Sequence, residues 1–214
     1  VYELDFPTVL TDRQRRIEAF GAKEPRGVRR VQVPTDLRTI AVVDRLKGLV
    51  DFSEPIFVAW EGMTMYFEEP EVREILSGIV PILRNGKSRL WADFAKEEAV
   101  KTPEIFPEVQ AFMLGMQMLG EPFVFGPKSV AEFIVSNGME CQEVVSSDVF
   151  HEAGSDPVYS VYQFCVASAA PAAIVPEETG DVTSWVSHPA HPAPAPAGEL
   201  GTTLPDGRTE SAAR

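Results

Sequence analysis

The sequence contains few residues of the kinds that form disulfides, metal sites and basic surfaces. Its 214 residues include two cysteines and three histidines. Lysine and arginine number 19 against 32 aspartates and glutamates, which gives a formal net charge of −13 at pH 7. Nucleic acids and anionic membranes bind basic surfaces, so this balance argues against both as partners. Cys141 and Cys165 lie in apolar, strand-like runs and are predicted to be buried, reduced thiols.

Long apolar runs are missing as well. No run approaches the roughly 20 residues that a membrane-spanning helix needs. The sequence does not open with the basic segment and apolar stretch of a secretory signal, so we expect a cytoplasmic protein. Hydrophobic residues make up 44% of the chain, which is typical of a globular domain with a sizeable core.

The composition changes near Ala170 and divides the chain in two. Residues 171–214 are dominated by alanine, proline, glycine, serine and threonine, and such a segment is predicted to be a disordered tail. His188 and His191 lie in this tail with no third ligand nearby, so no metal site is predicted. Residues 1–170 are predicted to form the folded domain.

Strand-like and helix-like patterns alternate along the first 170 residues. The pattern predicts an α/β fold with an open, mainly parallel sheet and one antiparallel strand near its end. The predicted strands are 1–5, 28–33, 55–60, 89–94, 139–145 and 158–167. Helices are predicted from Pro7 to Gly21, from a cap at Asp36, over 69–85 with Gly86 as the residue after the helix end, and over 129–137, with a helical insertion at about 95–122. The unbroken apolar run 55–60 predicts a strand buried on both faces.

Acidic residues follow the first three predicted strands. They are Asp5 (or Glu3), Asp36 and Glu61. Ligands of open α/β sheets bind beyond the carboxyl ends of the strands, and an acid there can accept hydrogen bonds from the hydroxyls of a ribose. An acid in the same place also caps a following helix, and the residues by themselves leave both roles open.

The segments around these acids resemble a known family. Val-Tyr-Glu-Leu-Asp-Phe-Pro at 1–7, Val-Pro-Thr-Asp-Leu-Arg at 33–38 and Trp-Glu-Gly-Met-Thr-Met-Tyr-Phe at 60–67 resemble successive motifs of the leucine carboxyl methyltransferase family. The similarity covers about residues 1–167 and is greatest to the bacterial and actinobacterial branch of S-adenosyl-L-methionine-dependent methyltransferases. It implies a Rossmann-like class I methyltransferase sheet with S-adenosyl-L-methionine as the cofactor.

The resemblance also implies roles for individual residues. Asp5 would contact the cofactor ribose, Asp36 and Leu37 would hold the adenine, and Glu61 would lie close to the methionine portion. Tyr66 would face the pocket near the transferred methyl group, although a tyrosine there is also explained as a core residue.

The implied reaction is O-methylation of a carboxyl or hydroxyl group on an unknown acceptor, a small molecule or a terminal carboxyl. No catalytic side chain is assigned, because a carboxylate acceptor needs no general base. His151 is more simply explained as an exposed loop residue. The oligomeric state is left open.

The family pattern includes a first strand and a glycine-rich turn that this sequence lacks, so the resemblance implies an N-terminally truncated domain. That strand would lie between the second and fourth strands of the family's sheet, and its loss would expose two strand edges and an apolar face. We therefore expect the chain by itself to bind the cofactor poorly or not at all. The alternatives are a non-catalytic remnant that at most binds a partner, and another nucleotide-binding α/β enzyme such as a dehydrogenase.

Overall fold

The computed structural model describes residues 1–23, 25–105, 107–150 and 161–171. Val1–Ala172 form one compact unit. All but the first residue of the expected tail lie outside the described residues, and so do the turn after residue 150, His151, His188 and His191. Within the described ranges, none of the helices has the length and apolar character to cross a membrane.

In the described residues, six strands form two sheets. A two-stranded sheet pairs two parallel strands, and a four-stranded sheet has the order β3-β4-β6-β5. In the larger sheet β3 and β4 are parallel, whereas β6 runs antiparallel to both of its neighbours. One antiparallel strand near the end of a mainly parallel sheet is the arrangement that the sequence predicts. The strands are β1 (Tyr2–Asp5), β2 (Val31–Pro34), β3 (Phe57–Trp60), β4 (Arg89–Ala95), β5 (Met139–Ser146) and β6 (Tyr162–Ala169).

The described part of the chain also contains six α-helices, which connect or follow these strands. They are α1 (Pro7–Ala19), α2 (Val42–Leu46), α3 (Glu69–Ile79), α4 (Glu97–Lys101), α5 (Pro107–Met118) and α6 (Val130–Ser136). Pro7 begins α1, as its lack of an N–H group favours. The Ser129 hydroxyl caps α6 by accepting a hydrogen bond from the Glu132 amide. Gly138 follows α6 with φ of +77°, a conformation that glycine adopts without strain.

Several predicted boundaries are wrong. Strand β2 begins at Val31 rather than at residue 28. Helix α3 ends at Ile79 and continues only as a 3₁₀ turn, Val80–Leu83, because Pro81 cannot donate the next helical hydrogen bond. Gly86 therefore does not follow the helix end. In the predicted helical insertion at about 95–122, a 3₁₀ turn at Pro103–Ile105 lies between α4 and α5.

The hydrophobic core lies between α3, α6 and one face of the four-stranded sheet. Apolar residues of α3 recur every three or four positions and are buried, as the helical pattern predicts. The alternate residues of β4 that point to this face are fully buried. The members from these elements are Val72, Ile75, Leu76, Ile79, Leu90, Ala92, Phe94, Val130, Phe133 and Ile134.

The opposite face of β3 is open, contrary to the prediction of a strand buried on both sides. Phe57 is 69% exposed, and Ala59 is exposed beside it. Trp91, the register partner of Ala59 on β4, is half-buried and stacks on Phe164 with 5.6 Å between ring centroids. The run is apolar on both faces, but the described residues cover only one of them.

Strands β1 and β3 are edge strands of their sheets. Strand β1 pairs with β2, and β3 pairs with β4, while the described residues add no strand to the other side of either. Leu4 of β1 and Val58 of β3 pack against the same core. The two sheets are thus separate in hydrogen bonding and share apolar contacts.

Candidate functional site

Asp5 and Asp36 lie at the carboxyl end of the two-stranded sheet. Parallel pairing places Asp5 at the end of β1 opposite Pro34 at the end of β2. The next amide, that of Thr35, donates to the Asp5 carbonyl oxygen at 2.9 Å. Asp36 follows directly, so the carboxyl ends of neighbouring parallel strands present both acids, as the rule for open sheets predicts.

The two carboxylates are each held by one backbone hydrogen bond. Oδ1 of Asp5 accepts from the Phe6 amide at 2.8 Å, and its other oxygen lies 3.8 Å from the Arg13 guanidinium. Oδ1 of Asp36 accepts from the Arg38 amide at 3.0 Å. The remaining oxygen of Asp36 makes no bond within the described residues, whereas that of Asp5 lies beside Arg13.

Asp36 does not cap a helix, which corrects the sequence prediction. Its side chain bonds the amide two residues on, and its carbonyl oxygen accepts from the Thr39 amide at 3.0 Å, so residues 36–40 form a turn. Helix α2 begins only at Val42. Leu37 is half-buried against the core within this turn.

Glu61 lies directly after β3 and is exposed. Within the described part of the chain its carboxylate makes no hydrogen bond or ion pair. Gly62, the next residue, has φ of +66° and turns the chain away from the sheet. A 3₁₀ turn, Thr64–Tyr66, follows. This segment leads from the end of β3 into the start of α3.

Arg38 connects the Asp36 turn to the segment after β3. Its Nε donates to Glu71 at 2.9 Å, and its NH2 group lies 3.5 Å from the Tyr66 carbonyl oxygen. Its guanidinium also lies 4.5 Å from the centroid of the Phe67 ring, a cation–π contact. In the sequence, Arg38 belongs to one of the predicted motifs but is given no role of its own. The fold shows that it connects two of the predicted site segments.

Tyr66 is half-buried, and its ring packs edge-on against Phe123 at 5.2 Å between centroids. Burial raises the pKa of its phenol, and the negative charges of Glu121 and Asp93 raise it further. The phenol therefore stays protonated at neutral pH. The structure places Tyr66 beside acidic residues at the sheet's carboxyl end, together with an apolar cluster that includes Phe112, Met113 and Met116 of α5.

Asp93 is a further residue of this site that the sequence did not single out. It lies on β4, is 6% exposed, and accepts a hydrogen bond from the Gly62 amide at 2.8 Å. Continuing the register in which Trp60 pairs with Ala92 places Glu61 opposite Asp93. Burial raises the pKa of Asp93 above its usual 3.8, the Gly62 amide opposes that change, and the negative charge of Glu61 adds to it. The neighbouring residues in the sequence do not indicate that an aspartate inside an apolar strand pattern contacts the turn after another strand.

Other features of the described residues lie away from these acids. A groove of about 570 Å³ runs along α1 between Val9, Arg13, Ile17 and Phe20. Both cysteines are free thiols, and burial raises the pKa of Cys165 to about 12. No group of three or more metal-ligating side chains occurs in the described ranges.

Comparison with known proteins adds to this geometry. The family model of leucine carboxyl methyltransferase matches residues 1–80. The matched range contains all five residues that the resemblance implicates, whereas Asp93 lies beyond it. No curated protein sequence matches the chain.

Solved structures show that the family match is accompanied by a methyltransferase fold. A duf574 family protein from Streptomyces avermitilis is 19% identical with a TM-score of 0.56, over 79% of this chain and 65% of that one. An O-methyltransferase family protein from Burkholderia thailandensis is 14% identical with a TM-score of 0.52, over 80% of this chain and 44% of that one. The chain thus has the Rossmann-like class I methyltransferase fold and spans between 44% and 65% of the length of these two structures.

Proposed function

We propose that the chain provides part of the cofactor site of an S-adenosyl-L-methionine-dependent O-methyltransferase. The observation that carries the proposal is the placement of Asp36, Leu37 and Glu61. Two of these residues lie in the turn after β2 and the third in the turn after β3, and Arg38 connects the two segments. The family match over residues 1–80 supports the choice of cofactor.

The side chains present fit such a ligand. A carboxylate oxygen can accept from ribose hydroxyls, and Asp5 offers the one that lies beside the Arg13 guanidinium. Asp36 offers another for an exocyclic amine, next to the half-buried apolar surface of Leu37. Glu61 is an exposed anion without a protein partner in the described residues, and a carboxylate attracts a sulfonium more strongly than a neutral thioether.

When bound, the cofactor supplies a methyl group on an already activated sulfonium. The work of this chain is to bind and orient. The turn at Asp36 and the turn at Glu61 fix the two ends of the ligand, and positioning of this kind can lower a barrier by several kcal/mol. Tyr66 with its protonated phenol borders the place where the acceptor oxygen would approach. A carboxylate acceptor needs no base there.

The acceptor is proposed to be a small molecule or a terminal carboxyl group, methylated on a carboxyl or hydroxyl oxygen. Isotope-labelled S-adenosyl-L-methionine incubated with matched carboxylate and alcohol panels tests this. The assay uses the chain alone and any longer product of the same reading frame. Label in an ester or ether product, lost in Asp36→Asn, supports the proposal. Cofactor binding without transfer to any acceptor supports the alternative, a non-catalytic remnant.

A further inference from the structure

Asp93 holds the segment after β3 at two points. Its carboxylate oxygen Oδ1 accepts from the Gly62 amide at 2.8 Å. Its carbonyl oxygen accepts from the Thr64 hydroxyl at 2.5 Å. Thr64 is fully buried and Asp93 is 6% exposed, so neither hydrogen bond is readily replaced by water. One residue of β4 therefore fixes both ends of the bend that follows Glu61.

Burial of this carboxylate needs an explanation. Asp93 is the one charged side chain among the buried polar residues of the described ranges. Placing a carboxylate in an apolar sheet is costly unless hydrogen bonds satisfy it. The strand pattern alone, with Ala92 and Phe94 buried on either side, does not call for an acid.

The bend needs to be held because of its backbone conformation. Gly62 has φ of +66° and open space around the position of a Cβ atom, so no side-chain packing fixes it. Glu61, which precedes it, is exposed and makes no ion pair in the described part of the chain. Without the contact to Asp93, the direction in which Glu61 points would depend on an unrestrained glycine.

We propose that Asp93 is a positioning residue, which sets the bend at Gly62 and thereby the placement of Glu61 for the positively charged part of the cofactor. The second half of this statement rests on the proposed function. Asp93 acts through Gly62 and is not assigned contact with the ligand. The hydrogen-bond acceptor is the essential part of its side chain, so an asparagine should serve in its place.

Amide hydrogen exchange of the purified chain tests the first half. In Asp93→Ala we expect the Gly62 amide to exchange roughly tenfold faster than in the unmodified chain. Asp93→Asn keeps an acceptor oxygen and should restore slow exchange. Asp51→Ala is the matched control, because Asp51 accepts from the Ser53 amide on the surface. Unchanged Gly62 exchange in a folded Asp93→Ala chain overturns the proposal.

Saturation-transfer NMR with millimolar S-adenosyl-L-methionine tests the second half on the same proteins. We expect a weaker signal in Asp93→Ala and an unchanged one in Asp93→Asn, whereas a general structural role would weaken both. If Asp93→Ala accelerates the exchange of the Gly62 amide but all variants give equal saturation-transfer signals, the proposed effect of Asp93 on the placement of Glu61 is contradicted. No signal in the unmodified chain counts against the proposed cofactor site, and the exchange data then still decide the role of Asp93 in the bend.

Discussion

The guanidinium of Arg38 lies 4.5 Å from the centroid of the Phe67 ring and joins two turns that are far apart in the sequence. On one side is the turn that begins at Asp36, and on the other is the segment after β3. The same group donates to Glu71 at the start of α3. Arg38 is thus a structural link between the predicted adenine-binding residues and the predicted methionine-binding residue.

Replacing Arg38 by alanine should lower the free energy of unfolding by about 1–2 kcal/mol, as an exposed cation–π contact and a partly exposed ion pair each contribute at most about 1 kcal/mol. Arg38→Lys keeps the charge but not the planar group that stacks and donates along Nε, so about half of the loss should remain. Urea unfolding followed by circular dichroism measures both. A lysine variant as stable as the parent contradicts the stacking role.

Gly62→Ala should be destabilising by about 1–2 kcal/mol, because a residue with a Cβ atom is strained at positive φ. Gly21 is the matched control, since its φ of +61° and its open surroundings are the same while it lies at the end of α1. Both alanine variants should lose similar stability in urea unfolding. Only Gly62→Ala should weaken cofactor binding, and equal effects of the two on binding would show that the bend has no special part in it.

Stability should depend on pH through Asp93. Burial and the facing Glu61 raise the pKa of Asp93 in the folded state above 3.8, so the folded chain holds this proton to higher pH than the unfolded chain does. The contribution of Asp93 to stability is therefore largest below about pH 3.8 and falls as pH rises through the folded-state pKa. Asp93→Asn should lack this fall when urea midpoints are compared across the acidic range. If the urea midpoints of the unmodified chain and of Asp93→Asn depend on pH in the same way, this role of Asp93 is contradicted.

The open face of β3 should tolerate substitution. Phe57 is 69% exposed whereas Phe94 is fully buried. Phe57→Ala should change the free energy of unfolding by less than about 0.5–1 kcal/mol, whereas Phe94→Ala should cost about 3–5 kcal/mol. Thermal or urea unfolding gives both values. A loss of several kcal/mol at Phe57 would mean that this face is covered, as the apolar sequence pattern predicts.

Local signals were sufficient for much of the fold. Pro7 marks the start of α1, Ser129 caps α6, and Gly138 follows its end as the sequence predicts. Local sequence signals were not sufficient where the burial of a strand depends on which elements pack against it. The run 55–60 shows apolar residues on both faces, but no sequence pattern shows that the described chain leaves Phe57 uncovered.

Part of the candidate site was likewise predictable from the sequence and part was not. The acids after β1, β2 and β3 were predictable because they follow strands directly, and parallel pairing then places Asp5 and Asp36 at one edge. Asp93 and Arg38 were not, because their contacts join residues about 30 positions apart. The capping role of Asp36 was wrong because the turn that it forms with the Arg38 and Thr39 amides does not continue into a helix, and α2 begins only at Val42.

The measurement that tests the central claim most directly is binding of S-adenosyl-L-methionine by the purified chain, followed by saturation-transfer NMR and calorimetry. Asp36→Asn is compared with Asp51→Asn, which has the same type of side-chain turn outside the site. We predict saturable binding, weaker than micromolar because β1 and β3 belong to separate sheets, with the adenine protons most affected. Asp36→Asn should weaken it several-fold and Asp51→Asn should not. No binding, or equal binding by the two variants, contradicts the assignment of the cofactor site.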